Sequence, residues 1–395
     1  MSESKIIHAD CLSLLPTLEE NSVDAVVTDP PYGIKFMAKR WDYDVPTVDV
    51  WREVLRVLKP GGHLLCACGT RTQHRMAVNI EDAGFEIRDV VSWIYGSGFP
   101  KSHNISKAID KAAGAERKVV GTKTTGAMNS RSGAEVNRSG EWAVGQTVVP
   151  ITESATPEAQ QWDGWGTALK PACEFFTLAR KPLSEKTVAA NVLKWGTGGI
   201  NVDGCRIGLS PDESVEKLNA RSGGKRGFQE SVVYGTGDPL PSGCDVSKGR
   251  FPANVIHDGS QMVLDLFPES KDGVAVGKNR SKNNHSGNKI YGKRNADTKV
   301  VGYGGHGSAA RFFYCAKASK KERGEGNTHP TVKPIALMRY LCRLITPPNG
   351  LVLDPYCGSG STGVAAIHEG FNFMGIEIDA DYCELANKRI NAEDE

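Results

Sequence analysis

The ten cysteines of this sequence include no CxxC pair, and Cys66 and Cys68 simply alternate along one expected strand. That spacing argues against a zinc site and makes a reduced compartment the simpler setting. The N-terminus carries no signal-peptide pattern, and no apolar run is long enough to span a bilayer, so the cytoplasm is the expected location and no membrane partner is expected. Net charge is also scarce: 48 Lys and Arg against 46 Asp and Glu leave +2, which neither demands nor excludes a polyanionic partner. Glycine and proline, by contrast, are plentiful at 44 and 20, so long loops are expected. A chain of 395 residues has room for two domains or for one domain with a large insertion.

Periodicity divides the chain into an ordered start, a loop-rich middle and an ordered end. Ile6–Asp10, Ala25–Asp29, His63–Cys68 and Phe85–Tyr95 read as strands, with helices over Val48–Leu58 and Thr72–Ala83. Pro60-Gly61-Gly62 is expected to stop the first of those helices. Such alternation predicts a mostly parallel sheet covered on both faces. Regularity then gives way to Gly/Ser/Thr/Asn-rich stretches over Gly121–Thr147, Arg221–Gly249 and Lys271–Gly307, with ordered islands such as Glu174–Arg180 between them. Between Lys271 and Lys299 there are eight basic residues and two aspartates, a local net of +6 in a chain of +2. Basic, glycine-punctuated loops of this kind suit a phosphate backbone. Helix, strand and helix return from Pro334 to the end.

Two stretches carry chemistry. Thr28-Asp29-Pro30-Pro31-Tyr32-Gly33 follows the apolar run Ala25-Val26-Val27. Two consecutive prolines fix φ and remove two backbone donors, so the turn presents acceptors: the Asp29 carboxylate and the Pro30 carbonyl. An acceptor pair suits an exocyclic ring amine, whose lone pair stays delocalised until both N–H bonds are gripped. Tyr32 supplies a flat face on which a flipped base can stack.

The second stretch is Leu353-Asp354-Pro355-Tyr356-Cys357-Gly358-Ser359-Gly360-Ser361-Thr362. Gly358, Gly360 and Gly363 fit G-x-G-x-x-G between a strand and a helix, and Glu377 closes the next strand as the ribose-binding acid. Nicotinamide and S-adenosylmethionine enzymes share this arrangement. Asp354 favours the methyl donor, since a carboxylate at the strand's end would face a ligand ammonium group and repel a pyrophosphate. The chain finishes about one helix after Glu377, so the remaining strands of the sheet are expected from the N-terminus. Ile6–Asp10 then becomes the third strand, with Asp10 accepting from the cofactor's adenine amine, and Asp29 ends the fourth. All four acids thus stand at carboxyl ends, where open α/β sheets bind ligands.

On these motifs the sequence resembles the circularly permuted beta group of amino-methylating DNA methyltransferases. In that group a (D/N/S)PP(Y/F) motif precedes the target-recognition region and the cofactor motif comes last. Residues 1–110 and about 328–395 carry the resemblance, supported by Leu58-Lys59-Pro60-Gly61-Gly62, the stretch from Trp93 through Phe99-Pro100-Lys101, and His329-Pro330-Thr331-Val332-Lys333-Pro334. Lys170–Glu174, Trp195–Asn201, Gly249–Asn254 and Arg311–Tyr314 look like islands of phage and bacterial adenine methyltransferases.

The resemblance implies a doubly wound, Rossmann-like α/β sheet, circularly permuted, with a loop-rich target-recognition insertion. The corresponding domains are 1–110 (catalytic half), 111–327 (target recognition) and 328–395 (cofactor half). It implies Asp29, Pro30, Pro31 and Tyr32 as catalytic residues. Asp10, Cys11, Lys333, Asp354, Tyr356, Gly358, Gly360, Thr362, Glu377 and Ile378 would hold S-adenosyl-L-methionine, with Lys333 neutralising the methionine carboxylate. Tyr356, where many members carry Phe, would flank the sulfonium.

Double-stranded DNA is the implied partner, with Lys101, Lys278, Arg280, Lys282, Lys289, Lys293 and Arg294 as candidate DNA contacts. Asp at the first motif position resembles N6-adenine enzymes; N4-cytosine members usually carry Ser and remain the alternative target. Carbon-5 methylation would need a cysteine nucleophile, typically in a Pro-Cys pair, and the chain has none. A non-catalytic DNA-binding regulator of the same fold and a nicotinamide oxidoreductase are the other classes carried forward. A homodimer is suggested by the resemblance alone.

Overall fold

The computed structural model describes residues 3–34, 42–98, 102–125, 147–209, 249–271, 275–276, 299–300, 306–317 and 332–392. They fall into two compact units, Met1–Gly96 with Cys173–Glu395, and Ser97–Ala172.

In the first unit, the described residues form one nine-stranded sheet. Its order is Ser4–His8 (β1), Asn372–Glu377 (β15), Leu351–Asp354 (β14), Val23–Thr28 (β2), Leu58–Gly69 (β3), Cys173–Arg180 (β7), Glu86–Ile94 (β4), Val255–His257 (β8) and Tyr314–Cys315 (β13). Neighbours from β1 through β3 run parallel, as do β4, β8 and β13; β7 is antiparallel to both β3 and β4. The last two strands of the chain therefore sit between its first two, with His8 opposite Glu377 and Val352 opposite Ala25. Two small antiparallel pairs flank the sheet strands in sequence, Glu269–Lys271 (β9) with His306–Ser308 (β12) and Ala275–Val276 (β10) with Lys299–Val300 (β11).

Burial explains the strand chemistry. All six residues of β2 are buried, as expected of a central parallel strand covered on both faces. Because side chains alternate across a strand, β2 and β3 feed two cores. Ala25, Val27, Leu65 and Ala67 join Leu337, Met338 and Leu341 of the helix Ile335–Ile345 on one face. Val26, Leu64, Cys66 and Cys68 join Trp51 and Val54 of the helix Val48–Val57 on the other. Asp24 is tolerated inside because its carboxylate pairs with Lys59 at 2.5 Å and accepts the Leu351 N–H at 2.8 Å.

Some expected boundaries move. The first strand is Ser4–His8, not Ile6–Asp10, because Asp10 turns out to cap the short helix Cys11–Leu14 by accepting from Ser13 N. The third strand begins at Leu58, and Pro60-Gly61-Gly62 lies inside it. Pro60 cannot donate to the ladder, and the β2–β3 register slips between Val23↔Leu58 and Ala25↔His63 to accommodate these residues. Within the expected insertion 111–327, β7, β8 and β13 are strands of the main sheet.

The second unit holds the antiparallel pair Val119–Thr125 (β5) and Thr147–Thr152 (β6), with helices Ile105–Ala112 and Pro157–Gln161. Its buried organiser is Asp110, which pairs with Arg117 and accepts from Ala155 N, Thr156 N and Thr156 Oγ1.

Candidate active site

Parallel strands bring their carboxyl ends to one edge, and that edge gathers residues from both ends of the chain. The first link is a hydrogen bond from Thr28 Oγ1, the last residue of β2, to Asp354 Oδ1 at 2.6 Å, across 326 positions of sequence. The turn beginning at Asp29 and the loop beginning at Asp354 are thus adjacent.

On the turn side, Asp42 holds the backbone: its Oδ1 accepts from Tyr32 N at 2.8 Å and Gly33 N at 2.9 Å. Thr72 Oγ1 donates to the Tyr32 carbonyl at 2.6 Å. The Tyr32 ring lies against the end of β3, where a Cβ on Gly69 would stand 3.1 Å from its Cδ2, so a side chain there would press the ring aside by a few tenths of an ångström. Tyr32 Oη donates to Asp29 Oδ1 at 2.7 Å and lies 3.2 Å from Glu174 Oε2. Burial, then the charges of Asp29 and Glu174, raise this phenol well above its ordinary value, so it remains a donor.

Lys333, just before the helix Ile335–Ile345, reaches the same cluster. Its Nζ is 2.7 Å from Asp29 Oδ2, 3.1 Å from Glu174 Oε2 and 3.0 Å from Tyr32 Oη. Burial pushes its pKa down, but Asp29 and Glu174 more than reverse that and raise it above the usual lysine value. The ammonium is fixed on two carboxylates. The sequence expectation gave Lys333 a cofactor carboxylate as partner; in this structure its charge-assisted contacts are to Asp29 and Glu174.

The loop side is equally saturated. Asp354 is 1% exposed and accepts from Thr28 Oγ1, from Thr362 Oγ1 at 2.6 Å and from Tyr356 N at 3.0 Å. Its oxygens tie β2, the loop and the helix Ser361–His368 together. Burial is the main cause that lifts its pKa to about 6; the two threonine hydroxyls and the Tyr356 N–H pull it back, and nearby Asp29 adds to the rise.

A raised acid pKa penalises the charged form in the folded state, so this site's contribution to stability is fully present below about pH 4 and declines as pH rises through about 6. The rise from 3.8 to about 6 corresponds to on the order of 3 kcal/mol. Urea titrations between pH 4 and 7 should therefore show a smaller decline for Asp354→Asn than for the wild type. Parallel curves would show that Asp354 does not set that slope.

Glu377 ends β15 with its Oε2 accepting the Gly358 N–H at 2.7 Å and its Oε1 accepting the Asp379 N–H at 2.8 Å. Gly358 and Gly360 take positive φ of 53° and 81°. Beside Glu377, Ile378 is 63% exposed. Asp10 and Cys11 begin the helix that follows the adjoining strand β1, just past Ala9, whose N–H donates to the Glu377 carbonyl at 2.9 Å. The Cys11 thiol interacts with the Tyr356 hydroxyl, and burial raises both groups.

Among the sequence-expected residues, Asp29, Pro30, Pro31, Tyr32, Lys333, Asp354, Tyr356, Gly358, Gly360, Thr362, Glu377, Ile378, Asp10 and Cys11 all fall along this edge. Lys101, Lys278, Arg280, Lys282, Lys289, Lys293 and Arg294 lie outside the described residues. Sequence reasoning gave no role to Thr28, Asp42, Tyr95 or Glu174, although Thr28, Tyr95 and Glu174 stand in stretches it singled out. Glu174 is the informative case: an antiparallel strand delivers its first residues, not its last, to the carboxyl edge of its neighbours, and Glu174 pairs with Gly69 at the end of β3. Its place in the island Lys170–Glu174 was the available signal.

Among the described residues no three His, Cys, Asp or Glu side chains are placed to hold a metal ion, and no helix is long and apolar enough to cross a membrane.

A mostly parallel α/β sheet with acids and a glycine loop at its carboxyl edge is the arrangement in which such folds bind ligands. The family is narrower. The chain belongs to the DNA methylase family N6_N4_Mtase, whose model matches residues 23–125 and 259–388.

It is 35% identical over 89 residues to the type II methyltransferase M2.DpnII of Streptococcus pneumoniae, covering 22% of this chain and 33% of that protein. It is 40% identical over 67 residues to the DNA adenine methyltransferase YhdJ of Escherichia coli K12, covering 17% of this chain and 23% of that one. These matches span a third or less of the relatives' lengths. The structure of the M1.HpyAVI–SAM complex superposes with a TM-score of 0.42 at 17% identity, over 98% of this chain and 99% of that one.

Proposed function

We propose that the chain is a site-specific DNA methyltransferase that transfers a methyl group from S-adenosyl-L-methionine to the N6 amine of an adenine in duplex DNA. The observation that carries this reading is the 2.6 Å hydrogen bond from Thr28 to Asp354, which makes neighbours of the Asp29-Pro30-Pro31-Tyr32 turn and the glycine loop. The position of β14 and β15 between β1 and β2 supports the circularly permuted beta-group assignment. Residues 1–110 and 328–395 are proposed as the two halves of the catalytic core, and 111–327 as the region that recognises DNA while also lending strands to the sheet.

The edge beside Glu377 suits an adenosyl group. The Glu377 carboxylate, held by the Gly358 and Asp379 N–H groups, has accepting capacity left for a ribose hydroxyl. Exposed Ile378 offers an apolar surface to a purine, and Asp10 offers an acceptor to its amine. Cys11, Tyr356, Gly358, Gly360 and Thr362 complete the proposed pocket, with Asp354 acting through the loop it holds. Bound S-adenosylmethionine supplies an electrophilic methyl group and a thioether leaving group.

The chain's own task is to make the amine nucleophilic. Asp29 and the Pro30 carbonyl accept its two N–H bonds, which draws the nitrogen toward tetrahedral geometry and localises the lone pair. Pro31 keeps the turn rigid and Tyr32 contacts the base once it has left the helix stack. Asp29 need not be a strong base, since the alkylated ring ammonium is acidic. Asp at the first motif position, together with the resemblance to enzymes named as adenine methyltransferases, favours adenine over cytosine. Lys101, Lys278, Arg280, Lys282, Lys289, Lys293 and Arg294 are proposed to meet phosphates.

Incubation with methyl-labelled S-adenosylmethionine and duplex DNA, followed by digestion to nucleosides, is expected to yield labelled N6-methyladenine. Label in N4-methylcytosine would overturn the choice of base, and absence of label from every DNA offered would overturn the enzyme assignment.

A further inference from the structure

We infer that Glu174 is a positioning residue that receives Lys333 and the Tyr32 hydroxyl when Asp29 is taken up by the target amine. The inference rests on the methyl-transfer reading of Asp29 and deepens it.

The geometry is a small, partly buried cluster with two carboxylates, one ammonium and two phenols. The side chains of Asp29 and Glu174 are 18% and 20% exposed and that of Lys333 only 8%. Both donors that occupy Asp29 stand between the two acids. Lys333 Nζ is 2.7 Å from Asp29 Oδ2 and 3.1 Å from Glu174 Oε2. Tyr32 Oη is 2.7 Å from Asp29 Oδ1 and 3.2 Å from Glu174 Oε2. On its far side Glu174 Oε1 accepts from Tyr95 Oη at 3.4 Å, which orients the carboxylate from behind.

With Lys333 on one oxygen and Tyr32 on the other, Asp29 is partly spoken for, and its full strength as an acceptor is not available to an incoming amine. Were Asp29 the sole acid present, engaging the amine would strip a buried ammonium of its counter-charge, an expensive arrangement. A second carboxylate within hydrogen-bonding reach of both donors removes that cost. A shift of a few tenths of an ångström moves Lys333 and the phenol onto Glu174 and frees Asp29 for the amine, while the buried ammonium keeps a carboxylate partner. Glu174 touches neither base nor cofactor in this scheme; it acts through Lys333 and Tyr32.

The test is a cycle on the full chain: wild type, Glu174→Gln, Lys333→Met and the double variant. Each is assayed for single-turnover methyl transfer to duplex DNA and, by calorimetry, for affinity toward S-adenosylhomocysteine. Glu174→Gln keeps the side-chain volume and is expected to slow transfer at least about tenfold with affinity unchanged, the pattern of a charge needed only when the amine engages. In the Lys333→Met background the same change is expected to cost less than about threefold, because the ammonium it serves is gone. Equal costs in the two backgrounds, or a wild-type rate in Glu174→Gln, would overturn the role.

A measurement free of methylation separates this inference from the function it rests on. The 13Cζ resonance of Tyr32, assigned by Tyr32→Phe, should shift in Glu174→Gln because the phenol loses a charged neighbour. An unmoved resonance overturns the Glu174 contact even in an active enzyme. A moved one with no transfer by the wild type retains the contact and rejects the function.

Discussion

Asp29→Ala is expected to lower single-turnover methyl transfer about 10²–10⁴-fold, the range typical for removing a positioned acid–base or charge-stabilising group. Affinity for S-adenosylhomocysteine should stay close to that of the wild type, since the proposed adenosyl contacts at Glu377, Ile378 and Asp10 do not involve Asp29. The fold should survive because neither donor is orphaned: Lys333 retains Glu174 at 3.1 Å and Tyr32 Oη retains it at 3.2 Å. Quenched-flow transfer to duplex DNA beside calorimetry on the same preparation reads both quantities. Near-normal transfer by Asp29→Ala would remove Asp29 from the reaction, and a parallel loss of cofactor affinity would mean that it serves the pocket instead.

Gly360→Val is the largest effect expected on stability. Two penalties coincide at this residue. Its φ of +81° disfavours any side chain, and a Cβ placed there would stand 2.9 Å from the Cβ and 3.1 Å from the Cα of Ala386, in the helix Ala380–Asn391. A left-handed conformation costs a non-glycine residue about 1–2 kcal/mol, and forced overpacking about 1–3 kcal/mol, so about 2–5 kcal/mol should be lost together. The cofactor loop would shift with it, so affinity for S-adenosylhomocysteine should fall too.

Gly370 separates the two causes. Its φ is +79° and an added Cβ meets nothing within 4 Å, so Gly370→Ala should carry only the backbone penalty of about 1–2 kcal/mol. Urea midpoints with unchanged slopes are the measurement. Equal midpoint shifts for the two variants would show that the contact with Ala386 is slack.

Much of this site was legible before any coordinates. Asp29, Asp354 and Glu377 end or follow apolar runs, and in a parallel sheet such positions must share an edge, so their proximity follows from strand polarity alone. The expected insertion of the C-terminal strands beside Ile6–Asp10 also agrees with the sheet order, in which β15 pairs with β1 and β14 with β2. Local turn chemistry was less reliable. Pro60-Gly61-Gly62 read as a helix stop because proline and glycine end helices, yet here they form an irregularity inside β3. Asp10 read as a strand end because its neighbours are apolar, whereas its carboxylate caps the helix that follows.

What the amino-acid order determined by itself is the inventory and the topology: an acceptor-rich turn, a glycine loop, and acids at the carboxyl ends of strands that must lie side by side. What only tertiary structure decided is who pairs with whom. Lys333 is shared by Asp29 and Glu174, from segments 304 and 159 positions away in sequence. Asp354 accepts from two threonine hydroxyls, Thr28 from β2 and Thr362 from the following helix. The physical reason is range. Strand polarity and turn geometry are set by near neighbours, but the partner of a buried charge is whichever opposite group the packing of distant segments brings within about 3 Å, and no local pattern encodes that distance.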